Sequence, residues 1–94
     1  MQIKFDIKFE INFNHILEFI AKDKISASKK FRKDLFEKIK DISNNPYKYR
    51  KSFYFNDDNL RDMTFKKYTI VYEIHLNKNL ITILNIFNRN KPNK

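Results

Sequence analysis

The chain opens on strict alternation: Ile3, Phe5, Ile7 and Phe9 are apolar, and Gln2, Lys4, Asp6, Lys8 and Glu10 between them are polar or charged. A period of two predicts a strand with one buried face. The pattern changes near Asn12 and Asn14, either of which can cap a short helix carrying Ile16, Leu17 and Ile20. Ser26 or Ser28 then opens a longer helix. Its stripe is Phe31, Leu35, Ile39 and Ile42, at spacings of three and four, with Lys29, Lys30, Arg32, Lys33 and Lys40 around it. Asn44-Asn45-Pro46 ends that helix, because the residue before a proline is pushed out of the helical region.

A polar, aromatic connector runs from Tyr47 to Asn59. Within it, Asn56-Asp57-Asp58-Asn59 reads as a turn between a short strand at Ser52 to Phe55 and another from Leu60 to Phe65. Tyr68 to His75 is β-branched and aromatic and apolar on both faces at its middle, which predicts a central strand. Asn77-Lys78-Asn79 makes a hairpin turn, Leu80 to Phe87 returns as the last strand, and a short basic tail follows. The order is strand, helix, helix, then an antiparallel meander. It predicts a single α+β domain over residues 1–94, with two helices on one face of the sheet and the other face open.

Composition narrows the function classes. Twenty lysines and arginines stand against 11 acids, a net charge of +9. That field favours polyanions or acidic proteins as partners and says nothing about fold. Cysteine is absent, which removes disulfides, thiol nucleophiles and cysteine metal sites; glycine is absent too, which removes phosphate-cradling glycine loops. The N-terminus has no leader-like apolar run, and no segment approaches the ~20 apolar residues of a membrane span. A cytoplasmic protein is the expectation.

Leu60-Arg61-Asp62-Met63 followed by Tyr68-Thr69-Ile70-Val71-Tyr72, and then Ile81-Thr82-Ile83-Leu84-Asn85-Ile86-Phe87-Asn88-Arg89-Asn90-Lys91-Pro92, resemble the "R-E-L … Y-R-I-V-Y" and "I-x-I-L-x-V-x-H-x-R-x-P" stretches of the RelE/ParE superfamily of bacterial toxins. Pro46 closing the second helix fits as well. The resemblance spans nearly the whole chain. It implies a β-α-α-β-β-β fold with a mainly antiparallel sheet, and a type II toxin neutralised by a cognate acidic antitoxin, with no metal and no small-molecule cofactor.

Ribosome-dependent cleavage of mRNA is the leading activity implied, with ParE-like poisoning of DNA gyrase as the alternative. Two further readings are a non-enzymatic basic RNA- or ribosome-binding module and a catalytically degenerate toxin. In the nuclease reading Arg61, Lys66, Lys67 and Arg89 stabilise attack of a 2′-hydroxyl on its own 3′-phosphate. Arg89 matches the basic residue that faces the scissile phosphate in mRNA-cleaving members, and a guanidinium fork suits that charge. Tyr68 can stack on a nucleobase, and Lys91 and Lys94 add positive charge to the tail. Two positions depart from the nuclease pattern. Thr69 stands where many RelE-like members carry an Arg, and Asn88 where others carry a His; neither a hydroxyl nor an amide serves as acid or base near neutral pH. His75 reads as a surface residue at a hairpin end, His15 has no assigned role, and Glu73 reads as a partner for a Lys or Arg on a neighbouring strand.

Overall fold

In the computed structural model the described residues are 1–89. The first strand, β1 (Gln2–Phe5), is shorter than the alternation implied, and helix α1 (Ile7–Asp23) begins where that alternation still runs. The reason is local. Asp6 is extended, and its carboxylate accepts the Lys8 N–H at 2.8 Å, a helix N-cap. Phe5 and Phe9 fit a period of two, but Phe5, Phe9 and Phe13 also fit a period of four. Their rings stack at centroid separations of 5.4 and 5.3 Å, the last residue of β1 onto the first turns of α1. Ile7, inward in a strand, is left 66% exposed.

Only Lys24 separates α1 from α2 (Ile25–Asn44): its N–H closes α1 on the Ile20 carbonyl, and its extended backbone starts the next helix. Neither Ser26 nor Ser28 is the cap that the sequence pattern implied. Ser28 instead lies buried between the helices and donates its hydroxyl to the Leu17 carbonyl at 2.9 Å. Asn45 ends α2 just ahead of Pro46, as expected.

The remaining strands are β2 (Arg50–Lys51), β3 (Leu60–Phe65), β4 (Tyr68–His75) and β5 (Leu80–Asn88), and the sheet order is β1-β5-β4-β3-β2. Crossing the helical hairpin brings β1 in parallel beside β5, and every other pairing is antiparallel. A bulge places Val71 opposite Asn85 but Tyr72 opposite Ile83, so Leu84 is the extra residue and both Ile83 and Ile86 face inward. The core forms where Met63, Phe65, Ile70, Tyr72, Ile74, Ile81, Ile83 and Ile86 meet Phe9, Phe13, Phe31, Leu35, Ile39 and Ile42 from the helices. Each such side chain contributes ~1.5–3 kcal/mol by leaving water. The helices cover one face, as the element order implied.

The other face is not bare. The expected strand at Ser52 to Phe55 leaves the sheet after Lys51 and folds over that face as a strap. Asp62, fully buried, accepts the Phe53 N–H at 3.1 Å and faces Arg50, whose guanidinium also lies 3.6 Å from the centre of the Phe53 ring. Tyr54 meets Phe87 edge-on at 5.2 Å, and beneath this layer Thr69 and Val71 are buried. Tyr54 and Phe55 supply the cover, lying beside Val71 and Phe87, while Phe53 stays 76% exposed.

The connector is also tied to α2. Tyr49 donates its hydroxyl to Asp41, and Lys48 approaches the same carboxylate at 3.0 Å. Burial, then the bond to Asp41, pushes the Tyr49 hydroxyl up to about 12, and burial also raises Tyr68 and Tyr72. A folded-state pKa above the ordinary 10.0 gives stability that is present below pH 10 and lost as pH rises through about 12. The urea midpoint should therefore hold steady up to pH 10 and fall steadily above it, and Tyr49→Phe should blunt the fall. A midpoint unchanged at pH 12 would contradict this linkage.

Candidate functional site

Phe65 and Tyr68 are the last pair between β3 and β4, which leaves Lys66 and Lys67 as a two-residue hairpin turn. Lys66 takes the left-handed conformation (φ 54°) that such turns usually assign to Gly or Asn. With no glycine in the chain, a lysine holds this position at a cost of ~1–2 kcal/mol. Arg89, just past β5, clasps the turn from the side. Its N–H donates to the Lys67 carbonyl at 2.8 Å, and its Nη2 donates to the Lys66 carbonyl at 2.8 Å. Residues 23 apart in sequence are thereby brought into one basic cluster.

Beside the cluster lies a cleft of about 400 Å³ between the turn and the elbow of the helical hairpin. It is lined by Phe19, Ile20, Ala27, Phe31, Lys66, Lys67 and Tyr68. Phe31 and Tyr68 form its floor, edge to face at 5.5 Å. The ammonium of Lys66 sits 5.5 Å from both the Phe31 and Phe65 ring centres, and that of Lys67 sits 6.0 Å from the Tyr68 ring. Among the described residues no carboxylate pairs with Lys66, Lys67 or Arg89, and the Tyr68 hydroxyl has no hydrogen-bond partner. The cluster can hold an anionic group by charge and by hydrogen bonds.

The other sequence candidates lie elsewhere. Arg61 sits on β3 five residues from the turn, about 16 Å away at the rise of an extended strand. Its Nε donates to the Asp58 carbonyl at 2.8 Å, its Nη1 to the Tyr49 carbonyl at 3.1 Å, and the guanidinium stacks on Tyr47. Arg61 is a strut for the connector. Thr69 lies under the aromatic strap with its hydroxyl buried and unpartnered. His75, at the far end of β4, meets Thr82 at 3.2 Å and Glu73 at 3.7 Å, so the partner of Glu73 is a histidine of its own strand. Lys91 and Lys94 lie outside the described residues. Of the elbow residues, the sequence pattern marks Ile20 only as part of the apolar side of the first helix and does not mark Phe19 or Ala27; Phe19, an aromatic off the buried stripe of α1 and 65% exposed, is the one available signal.

Among the described residues no three of His, Cys, Asp and Glu gather as a metal site would require, and no helix is long and apolar enough to cross a membrane. No curated protein matches the chain. Among solved structures, the chromosomal ParDE TA system from P. aeruginosa shares the fold, with a TM-score of 0.73 at 15% identity over 94% of this chain and 95% of that one. The family described as the ParE toxin of the type II toxin-antitoxin system, parDE, matches residues 3–92, and the chain belongs to it.

Proposed function

We propose that this type II toxin arrests growth by poisoning DNA gyrase, with Lys66, Lys67 and Arg89 engaging an anionic part of the target. The observation that carries the reading is the make-up of the basic cluster. It holds three cations, with no carboxylate or imidazole paired to them among the described residues. Cleavage of mRNA needs groups that move protons at the 2′-hydroxyl and the leaving oxygen. The position where many nuclease members place an arginine is Thr69, sealed beneath the strap, and Arg61 is committed to two backbone carbonyls. A cluster of this kind binds anions without transferring protons, which supports a poison over a nuclease. Membership of the ParE family supports the same side.

The test is induction of the chain alone in a bacterium, followed by pulse-labelling of DNA, RNA and protein. DNA synthesis should stop first, and purified chain should trap cleaved DNA on purified gyrase. Prompt arrest of protein synthesis, with mRNA cut on translating ribosomes, would reverse the assignment in favour of ribosome-dependent cleavage.

A further inference from the structure

Two features meet at the elbow end of the molecule, beside the turn that the proposed activity uses. The first is apolar. Phe19 is 65% exposed and lines the cleft together with Ile20 and Ala27, and Ile25, also 65% exposed, opens the second helix close by in sequence. Apolar surface concentrated in this way marks a protein–protein contact more often than a solvated face. The second is charge. Lys22 and Lys24 on the elbow and Lys66 and Lys67 on the turn have no ion-pair partner among the described residues. The two turn lysines lie against the aromatic rings of the cleft instead. The Tyr68 hydroxyl, also unpartnered, adds a donor on the cleft floor.

We propose that this cleft is the docking site of the antitoxin, which inserts a bulky apolar side chain between the elbow and the turn and sets flanking carboxylates against Lys66 and Lys67. The inference rests on the assignment of the chain to a type II toxin–antitoxin pair. Charge complementarity selects the occupant: a chain of net charge +9 calls for an acidic partner, and Lys66 and Lys67, without an ion pair among the described residues, border an apolar hollow. A sugar-phosphate backbone answers the cations but leaves the aliphatic wall of Ile20 and Ala27 without an apolar partner. A second copy of the chain brings more positive charge to the same place. A lasting complex also accounts for the exposed Phe19 better than a passing contact does, because long-lived interfaces are the more apolar ones. Bound here, the antitoxin lies over the turn that the proposed activity uses, so neutralisation follows from occlusion.

The experiment measures affinity between the full chain and the antitoxin from its own operon, by calorimetry at two salt concentrations. Three variants are compared, each at an exposed position: Phe19→Ser, Lys67→Glu and, on the distant strap, Phe53→Ser. Far-UV circular dichroism and thermal midpoints check that all three fold as the parent does. Phe19→Ser and Lys67→Glu should each weaken binding by about 30-fold or more, as truncation of an interface anchor does. Phe53→Ser should stay within about threefold of the parent. Equal affinities for all three variants overturn the proposal. So does loss of binding to a fluorescein-labelled single-stranded DNA probe by the cleft variants while antitoxin affinity is kept, which would make the cleft a nucleic-acid site. A parent chain that does not bind the antitoxin at all strikes the pairing itself, an outcome distinct from normal parental binding with insensitive variants.

Discussion

Tyr72→Ala should destabilise the fold by about 3–5 kcal/mol, the cost of removing a fully buried aromatic side chain from a packed core. Against the ~5–15 kcal/mol total of a small domain, that is about a fifth of the stability or more. The thermal midpoint should drop by at least about 12 °C. Two contributions add up at this residue. Its ring is completely buried in the middle of the central strand, opposite Ile83 on one side and Arg61 on the other. Its hydroxyl donates to the Pro46 carbonyl at 2.6 Å, which ties that strand to the chain leaving α2. Tyr72→Phe separates the two, since it keeps the ring and leaves the Pro46 carbonyl without its donor, at a cost of about 1–3 kcal/mol. Urea denaturation of both variants measures the difference. A Tyr72→Phe loss as large as that of Tyr72→Ala would mean that the ring packing contributes little.

How far the sequence carried the reading depended on whether the cause was local. β4 and β5 were legible because they are β-branched and aromatic runs joined across the Asn77-Lys78-Asn79 turn, and the Pro46 stop is a steric rule. The β1–α1 boundary was not, because Phe5 and Phe9 satisfy both the strand and the helix period, and only the Asp6 cap and the stacking on Phe13 decide between them. Nor was the strap. Ser52 to Phe55 reads as a strand, and its departure from the sheet depends on Asp62 and Phe87, which lie well along the chain from it. At the site, the strand bounds leave Lys66 and Lys67 between two strands of the meander, yet nothing local says that Arg89 folds back onto them. The family resemblance alone singled out Arg89, and the same resemblance brought in Arg61, whose partners are backbone carbonyls that no sequence pattern marks.

Arg61 and Arg89 should accordingly separate when each is changed to alanine. Arg89→Ala keeps the backbone bond to Lys67 and loses one exposed side-chain bond to Lys66, so its stability should stay within about 1 kcal/mol of the parent. Its toxicity should fall sharply: loss of an arginine anchor at a binding surface weakens engagement about 30-fold. A proportionate rise is expected in the concentration of purified chain needed to trap gyrase on DNA. Arg89→Lys retains the charge but not the fork that spans a carbonyl and an anion together, and should fall between the two. Arg61→Ala has the opposite profile. It strips two bonds from the Tyr49 and Asp58 carbonyls and the stacking on Tyr47, at about 1–3 kcal/mol, while leaving the basic cluster intact. The folded fraction should remain as toxic per molecule as the parent. Growth curves over a graded inducer series, read beside urea denaturation of the purified variants, place each arginine. If Arg89→Ala is as toxic as the parent, the basic turn does not touch the target, and the anion-binding surface must be sought among the α2 lysines instead.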